Sequence, residues 1–306
     1  MHFFKKLATI TTILLAGATL VACTHSTNQA TTTKTKPIHV VASLDFYGEA
    51  AKAVLGNHGT VTTIIKSPSV DPHNFEPTPK DAAAVSRATF VLGNGLGYDA
   101  WLQKLVKSNA SKNVTAIRVG EDVMAKQVGA NEHIWYDPET MVRLVTHLAT
   151  KFGKAAPQYR QSYAKNAAAY IRSLAPLQQQ IKSLKQNSHN QAVDVSEPVF
   201  DYALTALGYK RHNTSFEMAV ENGSDPSPKA VKDMQADIKQ HKIVFFVNNS
   251  QASDKTVKAM VKLVKRHHVP VLNVTETLPA GKTYRTWMQA QYRQLAKIQA
   301  KSAASA

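Results

Sequence analysis

Strand-like and helical segments alternate in two series along this chain, and between the series runs a stretch, residues 157–186, without a single glycine. Such alternation is the pattern of a parallel sheet, because each parallel strand needs a crossover, usually a helix, before the next can pair. In the first series residues 38–43, 61–66, 90–92 and 114–118 read as strands, and 46–55, 79–87, 98–108 and 138–154 as helices. Within the last of these, Met141, Leu144, Val145, Leu148 and Phe152 recur at helical spacing and predict a face turned to the core. The second series places strands at 191–195, 209–215, 243–247 and 269–274, with helices at 198–207, 228–240, 253–265 and 283–301. Between them, Tyr163, Tyr170, Leu174, Leu177, Ile181 and Leu184 form one apolar stripe, and Pro176 is expected to kink or interrupt the helix that carries it. The expectation is two α/β halves, 37–156 and 188–306, held by a stiff helical connector at 157–187.

The amino end is read as a targeting segment. Lys5 and Lys6 precede an apolar, threonine-rich run over 7–21, shorter than the roughly 20 residues that span a bilayer comfortably. It ends in Leu20-Val21-Ala22-Cys23, which resembles the lipobox of bacterial lipoproteins. Residues 1–22 are therefore expected to be a lipoprotein signal peptide, Cys23 the lipidated residue, and 23–36 a Thr/Lys-rich tether. Cys23 is the sole cysteine, which excludes disulfides within the chain and thiolate metal sites. Acyl chains would hold the protein on the outer face of the cytoplasmic membrane, as in a Gram-positive cell. The formal charge of +16 is spread over helix faces with no basic run longer than two. An exported basic surface of this kind faces an anionic envelope, and nucleic acid is not an expected partner. A monomer is expected.

Four side chains are the candidates for chemistry. Asp71-Pro72-His73 lies on a proline-bounded loop ahead of a helix start in which Thr78 is the N-cap, Pro79 the first helical residue and Asp81 the capping-box partner. Asn131-Glu132-His133 stands in a second loop that leads to an Asp137-Pro138 helix start. Glu197 follows the strand at 191–195, and Glu276 follows the strand at 269–274. In open parallel sheets ligands bind beyond the carboxyl ends of strands, so His73, His133, Glu197 and Glu276, two from each half, are expected to share one inter-lobe site. Two imidazoles and two carboxylates suit Zn(II), Mn(II) or Fe(II). The remaining histidines, among them His39, His147 and the His267-His268 pair, are read as strand, helix or surface residues.

The motifs Asp71-Pro72-His73 with Glu76-Pro77-Thr78, Asn94-Gly95-Leu96-Gly97-Tyr98-Asp99, His133-Ile134-Trp135-Tyr136-Asp137-Pro138 and Ser196-Glu197-Pro198 occur in an order that resembles the zinc/manganese (cluster A-I) solute-binding lipoproteins of bacterial ABC importers. That resemblance implies two Rossmann-like lobes with parallel sheets joined by one long rigid helix. It implies capture of Zn2+ or Mn2+ and delivery to an ABC permease in the membrane, with no enzymatic step. Zinc-specific members of that family often have histidine where Glu197 stands, and aspartate is common where Glu276 stands; residues 120–131 contain no histidine-rich loop. Two other readings stand beside it. A surface adhesin with a structural metal would need only the anchor and the basic surface. A metal-dependent hydrolase would need an open coordination position and a general base, and the chain has no HExxH, GxSxG or phosphate-cradling glycine motif.

Overall fold

The computed structural model describes residues 37–251 and 254–305. The expected signal segment, the lipidation site Cys23 and the tether lie outside them. The first half is built from β1 (Ile38–Leu44), α1 (Asp45–Leu55), β2 (Gly59–Ile65), α2 (Pro79–Ser86), β3 (Phe90–Gly93), α3 (Ala100–Asn109), β4 (Thr115–Arg118) and α4 (Thr140–Ala155). Its four strands are all parallel, in the order β2-β1-β3-β4. Six of the seven β1 residues are buried, as expected of a central strand covered by helices on both faces. The α4 stripe of Met141, Leu144, Val145, Leu148 and Phe152 is fully buried.

The connector is two helices in succession. A 3-10 turn at Pro157–Tyr159 leads into α5 (Arg160–Ser173), and α6 (Ala175–Gln186) follows after a break at Leu174. Pro176 sits in the first turn of α6, where its missing N–H removes the bond that would have carried α5 through without interruption. The stripe from Tyr163 to Leu184 is nonetheless buried along both helices.

The second half contains β5 (Ala192–Val195), α7 (Asp201–Leu207), β6 (Lys210–Arg211), α8 (Thr214–Glu221), α9 (Pro228–Lys239), β7 (Phe246–Asn249), α10 (Lys255–Arg266), β8 (Val271–Val274) and α11 (Tyr284–Ser305). Its sheet is again parallel, in the order β6-β5-β7-β8. Two segments depart from expectation. The strand read at 209–215 pairs for only two residues at the sheet edge, and the chain then enters α8. Phe216 and Val220, four residues apart, join a second core cluster with Met234 and Ile238 of α9; that burial outweighs the strand propensity of the residues before them. The strand expected at 243–247 pairs at Phe246–Asn249 instead, although Ile243 and Phe245 are buried.

The last helix returns to the first half. The Tyr284 N–H donates to Glu49 Oε2 at 2.8 Å, its hydroxyl to the Trp135 carbonyl at 2.7 Å, and the Trp287 ring lies 5.7 Å from that of Phe46. Residues of both halves consequently share one continuous core. In each sheet the strand order reverses beside the central strand, at β1/β3 and at β5/β7. Asn94, Glu197, Asn249 and Glu276 all stand at or just past strand carboxyl ends.

Candidate metal centre

The loop between β2 and α2 is held at both ends. Asp71 Oδ1 accepts the His73 N–H at 2.9 Å, Asp71 Oδ2 accepts from the Asn74 amide at 2.8 Å, and the Trp101 indole N–H donates to the Pro72 carbonyl at 3.0 Å. Downstream, Thr78 and Asp81 form the expected capping box with Pro79 opening α2. This bracing presents His73 with 37 % of its side chain exposed, Nδ1 lying 3.4 Å from Glu132 Oε1 and Nε2 3.5 Å from Glu276 Oε1.

His133 is fully buried. Asn131 Oδ1 accepts both the His133 backbone N–H and its ring Nδ1, each at 2.9 Å. An oxygen that only accepts places the ring proton on Nδ1, and Nε2 is left with a free lone pair. Nε2 is buried and has no hydrogen-bond partner. A buried nitrogen lone pair without a partner is costly in an apo protein and suited to an ion. Asn131 is itself held by the second half: its amide donates to the Pro198 carbonyl, and the Tyr202 hydroxyl donates to the Asn131 backbone carbonyl, both at 2.7 Å. Asn131→Ala is expected to weaken metal binding roughly 10- to 100-fold, the usual effect of losing a group that orients a ligand. A chelator-competition titration measures this; unchanged affinity would show that the His133 ring needs no such support.

The second half contributes carboxylates. Glu197 Oε2 accepts from the Asn249 amide at 2.6 Å. Glu276 Oε1 accepts from the Tyr98 hydroxyl at 2.8 Å. Tyr98 lies in the turn after β3, which Asp99 closes by accepting the Asn94 and Gly95 N–H groups at 2.6 and 2.9 Å. Gly95 has φ +78°, a left-handed conformation that side chains rarely adopt, so this turn favours glycine. Gln251 fastens the Glu276 loop, accepting the Glu276 and Thr277 N–H groups at 2.7 and 3.0 Å while donating across to the Pro68 carbonyl at 2.6 Å.

These groups border a cavity of about 770 Å³ that His73, Glu197, Glu221 and Glu276 line. Of the four residues expected from sequence, His73 and Glu276 are in contact and Glu197 faces the same space. His133 lies behind, with Nδ1 3.9 Å from Glu221 Oε1. Among the described residues, however, ligand atoms of His73, Glu132 and Glu221 come together, all within 4.8 Å of one another. Neither Glu132 nor Glu221 is among the candidates that the sequence offers. Glu132 adjoins His133 in a motif already in view, whereas Glu221 ends α8, a helix whose sequence reads as strand and loop.

Crowding of like charge sets the protonation. Burial alone would push the His73 imidazole down, but its bond to Glu276 and the charges of Glu132, Glu276 and Asp71 together raise it to about 9. Burial pushes His133 down to about 4, against the pull of Glu276. Burial, then the charges of Glu132, Glu276 and Glu197, push Glu221 up to about 8. Burial also raises Glu132 and Glu197. Glu276 alone of the four is held below the usual range: burial acts upward, but hydrogen bonds from His73 and Tyr98 and the charge of His133 outweigh it. Four carboxylates and two imidazoles converging in one cleft make a strongly cation-seeking centre.

Residues 40–298 match the family described as zinc-uptake complex component A, periplasmic (ZnuA). The chain belongs to that family. Members of it are binding components of metal importers, not enzymes. Relatives include the metal ABC transporter substrate-binding lipoprotein SsaB of Streptococcus sanguinis, 24 % identical over 272 residues, covering 84 % of this chain and 86 % of that one. The manganese ABC transporter substrate-binding lipoprotein PsaA of Streptococcus pneumoniae is 26 % identical over 271 residues, covering 84 % and 85 %. Among solved structures, a Mn-bound periplasmic metal-binding protein from Candidatus Liberibacter asiaticus superposes with TM-score 0.68 at 19 % identity, covering 85 % of this chain and 99 % of that one. The crystal structure of ZnuA superposes with TM-score 0.68 at 21 % identity, covering 86 % and 98 %. At these identities the structural likeness carries the fold: two parallel α/β halves. The named Streptococcus relatives are lipoproteins, in keeping with an extracytoplasmic, membrane-anchored protein. Among the described residues no helix is long and apolar enough to cross a membrane.

Proposed function

We propose that this family member captures a divalent transition-metal ion, Mn2+ or Zn2+, outside the cytoplasmic membrane and delivers it to an ABC permease, with lipidated Cys23 as its anchor. The ion is the cargo, held among His73, His133, Glu197 and Glu276. The observation that carries the reading is the His133 ring: oriented by Asn131, neutral, with Nε2 buried and unpartnered, and 3.9 Å from Glu221 Oε1 on its Nδ1 side. Ligands drawn from both halves allow binding to fasten one half to the other, which gives a permease a closed form to recognise. The relatives named for metal transport support the same reading.

Titration with Mn(II) or Zn(II) tests it, and one equivalent is expected to bind. At pH 7 His73, raised to about 9, carries a proton that must leave when it ligates. Glu221, raised to about 8, holds a second proton that the incoming charge destabilises. Binding is therefore expected to release one to two protons near pH 7, and affinity to fall about tenfold per proton for each pH unit below that. His133 adds nothing over this window, because its imidazole charges only near pH 4. Calorimetry in buffers of different ionisation enthalpy counts the protons; a binding heat independent of buffer would contradict the assignment of His73.

A further inference from the structure

Two side-chain amides divide their work in the same way at two separate contacts between the halves. In the second half, Gln251 Oε1 accepts the Glu276 and Thr277 N–H groups at 2.7 and 3.0 Å. Its Nε2 donates at 2.6 Å to the Pro68 carbonyl of the first half and at 2.6 Å to Thr277 Oγ1, whose own proton goes to the same carbonyl at 3.0 Å. In the first half, Asn131 Oδ1 accepts the His133 N–H and ring Nδ1–H, each at 2.9 Å. Its Nδ2 donates to the second half, at 2.7 Å to the Pro198 carbonyl and at 3.4 Å to Asp201 Oδ2. In each case the oxygen holds the loop of a candidate ligand in its own half, and the nitrogen holds the other half. Asn249 shows the contrast: it too holds a candidate ligand, but its side chain meets Glu197 and Gln251 of its own half. Gln251 is exposed, and Asn131 and Pro68 are half-buried, so water can replace these bonds when the halves part. Two other bonds between the halves, from Tyr136 to the Thr275 carbonyl and from Tyr284 to the Trp135 carbonyl, start from buried side chains within the continuous core.

We propose that Gln251 and Asn131 are positioning residues that tie the ligand loops to closure: each amide is fixed only while its nitrogen grips the opposite half, so parting the halves loosens Glu276 and His133 together. This rests on the metal-capture reading above and adds to it the means of release. An amide anchored at both its oxygen and its nitrogen has one orientation. Freed at the nitrogen, it regains rotamer freedom, and the ligand it was holding loses its fixed aim. The bonds that start from Tyr136 and Tyr284 stay buried and act as the pivot, while the two amide contacts open. A bound ion therefore holds the halves shut through these amides, and a permease that draws the halves apart weakens the ion's hold on both sides at once.

Carboxylate variants separate the two tasks, because Gln251→Glu and Asn131→Asp keep the accepting oxygen and lose only the donor. If the amides did no more than position ligands, the added negative charge would slow the release of a cation, and a carboxylate behind His133 would make it a stronger ligand. Coupling to closure predicts the opposite sign. Stopped-flow release of Mn(II) or Zn(II) from the loaded mature protein to excess chelator is expected to speed up about three- to tenfold in each variant, the usual worth of one lost hydrogen bond. The rate of capture is expected to stay within about twofold of wild type. Release that is unchanged or slower in either variant would overturn the proposal. Hydrogen exchange on the wild-type protein provides a measurement independent of any variant: the His133, Glu276 and Thr277 backbone N–H groups are expected to exchange faster without metal than with it. Equal protection in the two states would also overturn the proposal. If the wild-type protein binds neither metal, the metal-capture reading itself fails; if it binds and the variants release no faster, only this inference does.

Discussion

Replacing His133 with alanine is expected to lower divalent-metal affinity by more than about a hundredfold, beyond what loss of an orienting neighbour produces. The ring supplies a nitrogen lone pair that is buried, neutral at pH 7 and already aimed by a hydrogen bond on its other side. Nothing nearby can substitute for it: Tyr98 and Trp135, whose rings lie 6.1 and 5.2 Å away, are poor ligands. The variant also loses packing, so its metal-free Tm is expected to drop. His73→Ala separates the two effects. Its ring is 37 % exposed, so the substitution costs little stability yet removes a group that contacts both Glu132 and Glu276. A loss of similar size is expected, while His39→Ala on β1 should leave affinity unchanged. Wild-type titrations for both His73→Ala and His133→Ala would remove the basis for a metal centre at this place.

The second large effect lies away from the cleft. Arg211 at the end of β6 donates to both Asp201 and Glu217, whose side chains are 9 % and 1 % exposed. One guanidinium thus compensates two buried acids, and Asp201 is pushed up to about 8, by burial first and by Glu217 next, with Arg211 opposing. Breaking a buried pair costs about 3–5 kcal/mol. Arg211 is itself 30 % exposed, which places Arg211→Ala near the lower figure, a fall in Tm of roughly 6–12 °C for a chain of this size. The pH dependence has a definite sign. An acid whose folded value lies above its unfolded value favours folding at low pH and opposes it as pH rises from about 3.8 towards 8. Without the guanidinium that opposition grows, so calorimetry should find a larger deficit at pH 8 than at pH 5. A constant deficit, or none, would mean that the two acids are solvated in the fold.

Much of the first half was legible in the sequence because its signals are local. Thr78, Pro79 and Asp81 define a helix start by themselves, and the α4 stripe from Met141 to Phe152 fits only one face. His73 stood out because the proline loop ahead of that start leaves it little freedom. The connector was visible as a stripe, and Pro176 marked its interruption. What escaped was decided by tertiary context. The segment at 209–215 has the residues of a strand, but an edge position with a single neighbour asks for little pairing, and Phe216 with Val220 found a better burial against α9. That error concealed Glu221, since an acid at a helix end cannot be noticed when no helix is expected. Glu132 was in plain view beside His133, yet its meeting with His73 depends on two loops separated by about sixty residues and joined through the Asn94 turn. Asn131, Asn249 and Gln251 escaped for a similar reason: amides that position ligands carry no sequence pattern of their own.

The central claim is that one divalent ion sits between the halves, bound by residues of both. Anomalous diffraction from crystals of the Mn(II)-loaded protein, collected at the manganese edge, tests it most directly. The account predicts a single strong peak within bonding distance of His73 and His133 from the first half and of at least one carboxylate among Glu197, Glu221 and Glu276 from the second. A peak bound by only one half, or no peak in this cleft when the protein is saturated, would contradict it.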